Sequence, residues 1–152
     1  MLRTMSVEDN LRFREMFKSQ LLSEFPSMEV IEAANGEEAF KGLASYPIDL
    51  VFMDISLPGE SGLKLTREIK AKYKDVTIAM LTGYAFAEYR EAAARCGADC
   101  FITKDLMKWD QISAMVECFQ RAKDSIGLKP SCVRLASEGS PISSVNQVPF
   151  GD

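Results

Sequence analysis

The stretch Leu50-Val51-Phe52-Met53-Asp54 is an unbroken apolar run that ends in a carboxylate. Such a run is typical of a strand buried on both faces, although periodicity alone does not distinguish it from a buried helical segment. Pro47 precedes the run and Pro58 and Gly59 follow it, which favours the strand. In open α/β sheets, ligands bind beyond the carboxyl ends of the strands. Asp54 therefore stands at a position suited to chemistry, although it could equally cap the following loop.

The composition excludes several classes of function for this protein. The chain has 152 residues, the usual size of one domain, and a net charge of −4, so it lacks the basic footprint of nucleic-acid binding. No apolar run approaches the ~20 residues that a membrane span needs. There is no histidine, which excludes a phosphohistidine on this chain and removes the commonest general base.

The cysteines give an expectation about location. The four cysteines lack the C-x-x-C spacing of a zinc site or a thioredoxin-type motif. We therefore expect reduced thiols in a cytoplasmic protein. The cysteines are Cys96, Cys100, Cys118 and Cys132.

Apolar segments alternate with amphipathic ones along the first 124 residues. This alternation predicts an α/β fold, a doubly wound parallel sheet of five strands with five helices covering both faces. The fourth helix has little apolar contrast. The predicted strands are 2–7, 28–33, 50–53, 76–81 and 99–103. The first predicted helix begins at Asn10, and the other four cover residues 37–45, 61–73, 86–95 and 109–123.

Polar residues follow four of the predicted strands. Glu8-Asp9 follows the first, Asp54 ends the third, and Thr82 and Lys104 end the fourth and fifth. Because the ends of parallel strands meet at one edge, we expect these groups to converge. Helix capping would explain Glu8-Asp9 taken alone. Crowded carboxylates would raise one another's pKa values, and a hard divalent cation such as Mg²⁺ would relieve the repulsion.

The complete set resembles the response-regulator receiver domain, the chemotaxis-receiver type of flavodoxin-like fold. The resemblance covers about residues 2–124 in order and spacing and implies the strand order 2-1-3-4-5. We accordingly expect a receiver domain over residues 1–124. The matching stretches are Glu8-Asp9, residues 51–62 (VFMDISLPGESG), Leu81-Thr82-Gly83, and residues 101–104 (FITK).

The resemblance implies a signalling protein rather than an enzyme acting on an external substrate. Asp9 and Asp54 would coordinate Mg²⁺, with Glu8 assisting through water and Ser56 adding its main-chain carbonyl. Asp54 would take a phosphoryl group from a phosphohistidine on a histidine kinase or phosphotransfer protein, and Lys104 would offset the charge that builds up on the phosphoryl oxygens.

The resemblance also implies a route to an output. The Thr82 hydroxyl would bind the phosphoryl group, and Phe101 would be the switch aromatic that moves inward when Thr82 is drawn to the phosphate. The surface formed by the fourth helix, the fifth strand and the fifth helix would dock a partner or make a homodimer.

Residues 125–152 are rich in Ser, Gly and Pro, which predicts a flexible tail or a truncated linker. The pair Lys104-Asp105 resembles the branch of the family that often carries a DNA-binding helix-turn-helix domain. The segment 125–152 is too short for such a domain, so we expect no nucleic-acid contact by this chain itself.

Three rival functions differ in their site residues. A flavodoxin-type electron carrier would need a Ser-, Thr- and Gly-rich loop where Glu8-Asp9 stands. A haloacid-dehalogenase-type phosphatase would need a second carboxylate where Ser56 stands. A receiver-like binding module that does not signal through phosphate remains the main alternative.

Overall fold

The computed structural model describes residues 2–57, 59–83, 87–104 and 109–125. Strands and helices alternate as the sequence predicts, so the α/β prediction is confirmed. The main-sheet strands are β1 (Arg3–Val7), β2 (Glu29–Ala33), β3 (Leu50–Asp54), β4 (Thr77–Thr82) and β5 (Cys100–Thr103), and the helices are α1 (Leu11–Glu24), α2 (Gly36–Ser45), α3 (Gly62–Lys72), α4 (Ala87–Arg95) and α5 (Trp109–Ser125).

All neighbouring strands of the main sheet are parallel, in the order β2-β1-β3-β4-β5. The expected order is therefore confirmed. Strand β1 lies inside the sheet although Thr4 and Ser6 interrupt its apolar character. Both side chains are buried, and the Thr4 hydroxyl donates to the Glu29 carbonyl oxygen over 3.4 Å. This partner offsets the cost of burying that hydroxyl.

The sheet divides the core into two layers, and strand β3 contributes side chains to both. Leu50 and Phe52 face α1 and α5, whereas Val51 and Met53 face α2, α3 and α4. Successive side chains of a strand point to opposite faces, so a strand covered on both sides must be apolar throughout. This requirement explains the continuous run from which the fold was predicted.

Two local features differ from the sequence prediction. Ser56–Leu57 and Glu60–Ser61 form a short antiparallel hairpin after β3, where only a loop was expected. Asp99 precedes β5 instead of opening it, and its carboxylate accepts a hydrogen bond from Ile78 N over 2.9 Å. Both features depend on contacts between distant residues, which residue periodicity does not encode.

Cysteine pairing departs from the expectation at one residue. Cys96 and Cys100 are buried and form no disulfide, but Cys118 is disulfide-bonded. The expectation of reduced thiols is therefore wrong for Cys118. Disulfides are rare in reducing compartments, so this bond does not support a cytoplasmic location.

Several expectations fall on residues that are not described. These are the features at Pro58 and Asp105, the start of the fourth helix at Phe86, the thiol of Cys132, and the tail beyond residue 125. Within the described ranges, no helix is long and apolar enough to cross a membrane.

Gly62 is required by the close approach of α3 to the end of β3. A Cβ at this position would collide with the carbonyl oxygen of Asp54 and would lie 2.9 Å from Ile55 Cα. The Gly62 N–H donates to the Ile55 carbonyl over 2.7 Å, so the backbone has little freedom to retreat.

We predict that Gly62→Ala lowers the free energy of unfolding by about 1–3 kcal/mol, because the added methyl group overpacks a backbone contact. Gly83→Ala is the matched control, since a Cβ there meets no atom within 4 Å. Urea unfolding of the two variants measures the difference. Equal stability of both variants would show that the Gly62 contact imposes no constraint.

Candidate functional site

Two neighbouring strands bring three carboxylates together. Val7 pairs with Met53 in the β1–β3 register, so the residues that follow, Glu8 and Asp54, lie beside each other. Carboxylate oxygens of Glu8, Asp9 and Asp54 all lie within 4.8 Å of one another. This geometry agrees with the convergence expected from the strand ends.

The three carboxylates differ in their environment. Glu8 and Asp54 are almost completely buried, at 3% and 6% exposure, whereas Asp9 is exposed. Glu8 Oε2 accepts a hydrogen bond from Asn10 N over 3.0 Å. Asn10, rather than Asp9, caps α1, because its side chain accepts from Phe13 N. Asp9 is therefore available at the solvent side of the cluster.

Lys104 supplies the positive charge of the site. Its backbone N–H donates to the Thr82 carbonyl over 2.6 Å, which fixes the end of β5 against β4. Its ammonium forms an ion pair with Glu8 Oε1 and lies 3.6 Å from Asp54 Oδ1. The lysine thus bridges two buried carboxylates and has its closer contact with Glu8.

The pKa of Asp54 is raised from 3.8 to about 6, mainly by burial and next by the negative charge of Glu8. Lys104 opposes this increase, as does the Ser56 N–H that donates to Asp54 Oδ1 over 3.4 Å. The charge of Asp9 adds a smaller increase. An ionised Asp54 is therefore costly in the folded protein unless further positive charge is supplied.

The donor set suits a hard divalent cation. Mg²⁺ prefers oxygen ligands and usually takes one or two carboxylates while retaining several waters. One exposed and two buried carboxylates within reach of one another satisfy that preference. Ser56 lies in the adjoining hairpin, where its N–H contacts Asp54; the role expected of its carbonyl stays a prediction.

Thr82 and Phe101 lie on the two strands next to β3. Thr82 ends β4, one residue beyond Leu81, which pairs with Asp54, and it is 1% exposed. Phe101 is fully buried in the layer that includes Ala93 of α4. Its burial in this structure leaves little room for a further inward movement.

Two contacts to the predicted residues were not expected from the sequence. The Phe13 ring centroid lies 4.4 Å from Lys104 Nζ, and the Arg90 guanidinium lies 5.3 Å from the Phe101 ring centroid. In the sequence, Phe13 is only one apolar residue of the predicted first helix. Arg90 offered no sequence signal. Burial lowers the pKa of Arg90, and its Nε is buried with no hydrogen-bond partner.

The raised pKa of Asp54 predicts a pH-dependent stability. Between about pH 4 and about pH 6 the folded protein binds more protons than the unfolded chain, so stability falls as the pH rises. A pKa near 6 instead of 3.8 corresponds to about 3 kcal/mol. In metal-free buffer at pH 8, we expect Asp54→Asn to exceed the wild type in stability by up to this amount.

The advantage of Asp54→Asn should shrink as the pH falls through about 6 and vanish near about 4. Urea unfolding across this range measures it. Asp75→Asn, at an exposed position, is the matched control and should follow the wild type. A variant less stable than the wild type at pH 8 would contradict the electrostatic account.

Comparison with known sequences identifies the family to which a site of this kind belongs. The family model described as the response regulator receiver domain matches residues 4–117. The transcriptional regulatory protein AruR of Pseudomonas aeruginosa is 32% identical over 126 residues, covering 80% of this chain and 50% of AruR. The chemotaxis protein CheY of Halobacterium salinarum is 36% identical over 102 residues, covering 67% of this chain and 83% of CheY.

The aerobic respiration control protein ArcA of Escherichia coli is 40% identical over 98 residues, covering 64% of this chain and 40% of ArcA. The chain thus spans half or less of the length of these two larger relatives, AruR and ArcA.

Solved structures share the fold. The response regulator TrrA of Thermotoga maritima, in complex with Mg²⁺ and beryllofluoride, is 37% identical with a TM-score of 0.67, covering 77% of this chain and 97% of TrrA. A CheY-like receiver domain protein of Methanospirillum hungatei is 26% identical with a TM-score of 0.71, covering 82% of this chain and 98% of that protein. The chain belongs to the response regulator receiver domain family.

Proposed function

We propose that this protein is a phosphorylation-dependent switch that accepts a phosphoryl group on Asp54. One observation carries the proposal: a buried carboxylate lies at the carboxyl end of a parallel sheet between two further carboxylates and a lysine. Perturbed titratable groups in such a cluster are typical of functional sites. The phosphoryl donor would be a phosphohistidine on a histidine kinase or phosphotransfer protein, as in the family.

Asp9 and Asp54 would hold Mg²⁺, with Glu8 nearby and the Ser56 carbonyl as a further ligand. When bound, the ion would neutralise negative charge on the phosphoryl oxygens. The donor geometry supports this assignment, and so does the Mg²⁺–beryllofluoride complex of TrrA, a relative with 37% identity.

Asp54 acts as the nucleophile. With a pKa of about 6, its carboxylate is mostly ionised at neutral pH, which is the form that attacks. One Asp54 oxygen forms a bond to phosphorus while the bond from phosphorus to the donor's imidazole nitrogen breaks. The product is an aspartyl phosphate.

Lys104 stabilises the charge that develops in this step. Its ammonium is already 3.6 Å from the attacking carboxylate, so a small shift away from Glu8 would bring it to a phosphoryl oxygen. A preorganised cation in a site that excludes water contributes more than it would in bulk solvent.

Thr82, Phe101 and α4 form the proposed route to the output surface. The Thr82 hydroxyl would bind the phosphoryl group, and Arg90 connects the Phe101 ring to α4. Within α4 only Ala93 is buried, so the helix has few apolar contacts to resist a shift. A homodimer or a partner at the face formed by α4, β5 and α5 would read that shift.

The proposal covers the receiver domain, residues 1–124. The protein would promote its own phosphorylation but act on no external substrate. A cytoplasmic location agrees with the thiols of Cys96 and Cys100, which form no disulfide, but not with the Cys118 disulfide. The binding-module alternative predicts no phosphoryl transfer, which separates the two functions.

We predict that the purified protein, incubated with Mg²⁺ and acetyl phosphate, gains one acid-stable, base-labile phosphoryl group. Asp54→Asn should abolish it, because the amide cannot act as the nucleophile. Intact-protein mass spectrometry and phosphorus NMR measure the outcome.

Asp75→Asn is the control for loss of a carboxylate and should accept the group normally. Label that persists in Asp54→Asn would overturn the assignment of the nucleophile. No label in the wild type with acetyl phosphate or with phosphoramidate would favour the binding-module function.

We predict that Thr82→Ala still accepts the phosphoryl group but loses most of the conformational response, since its hydroxyl couples the phosphate to the surface. The measurement compares amide chemical shifts of α4, β5 and α5 with and without Mg²⁺ and beryllofluoride. Thr66→Ala removes another fully buried hydroxyl, which donates to Met80 Sδ, and is the matched control. A full response in Thr82→Ala would remove Thr82 from the coupling route.

A further inference from the structure

Phe13 lies where an aromatic ring can influence the site lysine. The residue is in the first turn of α1, half-buried, and its ring centroid is 4.4 Å from Lys104 Nζ. A lysine ammonium within about 6 Å of a ring centroid can be attracted by the negative face of the ring. The contact therefore lies within the range of a cation–π interaction.

An aromatic series fixes the position of the Phe13 ring. Phe13 stacks on Phe17, with centroids 5.7 Å apart and planes 14° apart. Phe17 is fully buried and meets the Phe52 ring edge-on at 4.9 Å. Phe52 belongs to β3, two residues before Asp54. The strand that positions Asp54 thus also anchors, through Phe17, the ring that contacts Lys104.

The Phe13 ring covers one side of the Lys104 ammonium. Glu8 and Asp54 provide oxygen atoms, and the ring covers a further side without taking up a proton. An ammonium is strongly hydrated and its stem is flexible, so a cover that excludes water limits both its hydration and its movement.

We propose that Phe13 is a positioning residue for Lys104: its ring face holds the ammonium next to Asp54, ready to donate to a phosphoryl oxygen. The inference rests on the proposed function of Asp54. It differs from a purely structural role in one respect. A core-filling side chain needs only volume, whereas this role needs an aromatic face.

The contact itself can be measured without any reaction. In the full chain, the ring should shift the Lys104 ε-methylene proton resonances upfield relative to those of exposed lysines. Phe13→Tyr should preserve this shift and Phe13→Leu should remove it. Phe40→Leu is the matched control, because Phe40 is another half-buried phenylalanine, placed on α2 in the core layer on the opposite face of the sheet. Unshifted ε-methylene resonances in the wild type would overturn the proposal.

The effect on reactivity is tested with phosphoramidate as donor at saturating Mg²⁺. We expect phosphorylation of Phe13→Leu to be about threefold to tenfold slower, in keeping with loss of a partly desolvated cation–π contact. Phe13→Tyr should react within about twofold of the wild type, because its ring retains the contact. Phe40→Leu should react like the wild type.

The outcomes separate this inference from the proposed function. If the wild type is phosphorylated and Phe13→Leu reacts equally fast, the positioning role is overturned while the function stands. If Phe13→Tyr is as slow as Phe13→Leu, aromaticity is not what matters and the role is overturned as well. If the wild type accepts no phosphoryl group, the proposed function fails, and the role fails with it even where the ring shift is present.

Discussion

The buried pairing of Lys104 with Glu8 and Asp54 is the interaction on which the site depends. Two carboxylates with almost no exposure lie side by side, and one lysine serves both. Burial and the neighbouring Glu8 charge raise the pKa of Asp54, so the single lysine does not balance the two buried carboxylates. Stability gained elsewhere in the core must offset this cost, because buried charges are expensive unless they are fully paired. We propose that this imbalance also makes the site receptive to a cation.

The fold brings these groups together through strand register. Parallel pairing of β1 with β3 and of β3 with β4 places Glu8, Asp54 and Thr82 at one edge of the sheet. The remaining support is local: Gly62 allows α3 to approach the Asp54 backbone, and Asn10 caps α1 next to Glu8. The aromatic rings of α1 belong to the core layer on the other face of the sheet from α3, and the Phe13 ring reaches Lys104 from there.

The sequence predicts most of this arrangement. The continuous apolar run of β3 indicates the doubly covered sheet, and the polar residues after four strands indicate one shared edge. Contacts that depend on side-chain direction were not predictable. Phe13 is an ordinary apolar residue of the first helix in the sequence, and nothing in the pattern connects Arg90 to Phe101. The hairpin after β3 and the disulfide at Cys118 depend equally on tertiary geometry.

The central claim is that three crowded carboxylates form a site for a divalent cation. Calorimetric titration of the full chain with Mg²⁺ at neutral pH tests this claim most directly. The account predicts weak binding of one ion per chain, weaker still in Asp9→Asn because a ligand and a negative charge are lost. Asp75→Asn should bind like the wild type. Equal affinity of Asp9→Asn and the wild type, or no binding by the wild type, would contradict the account.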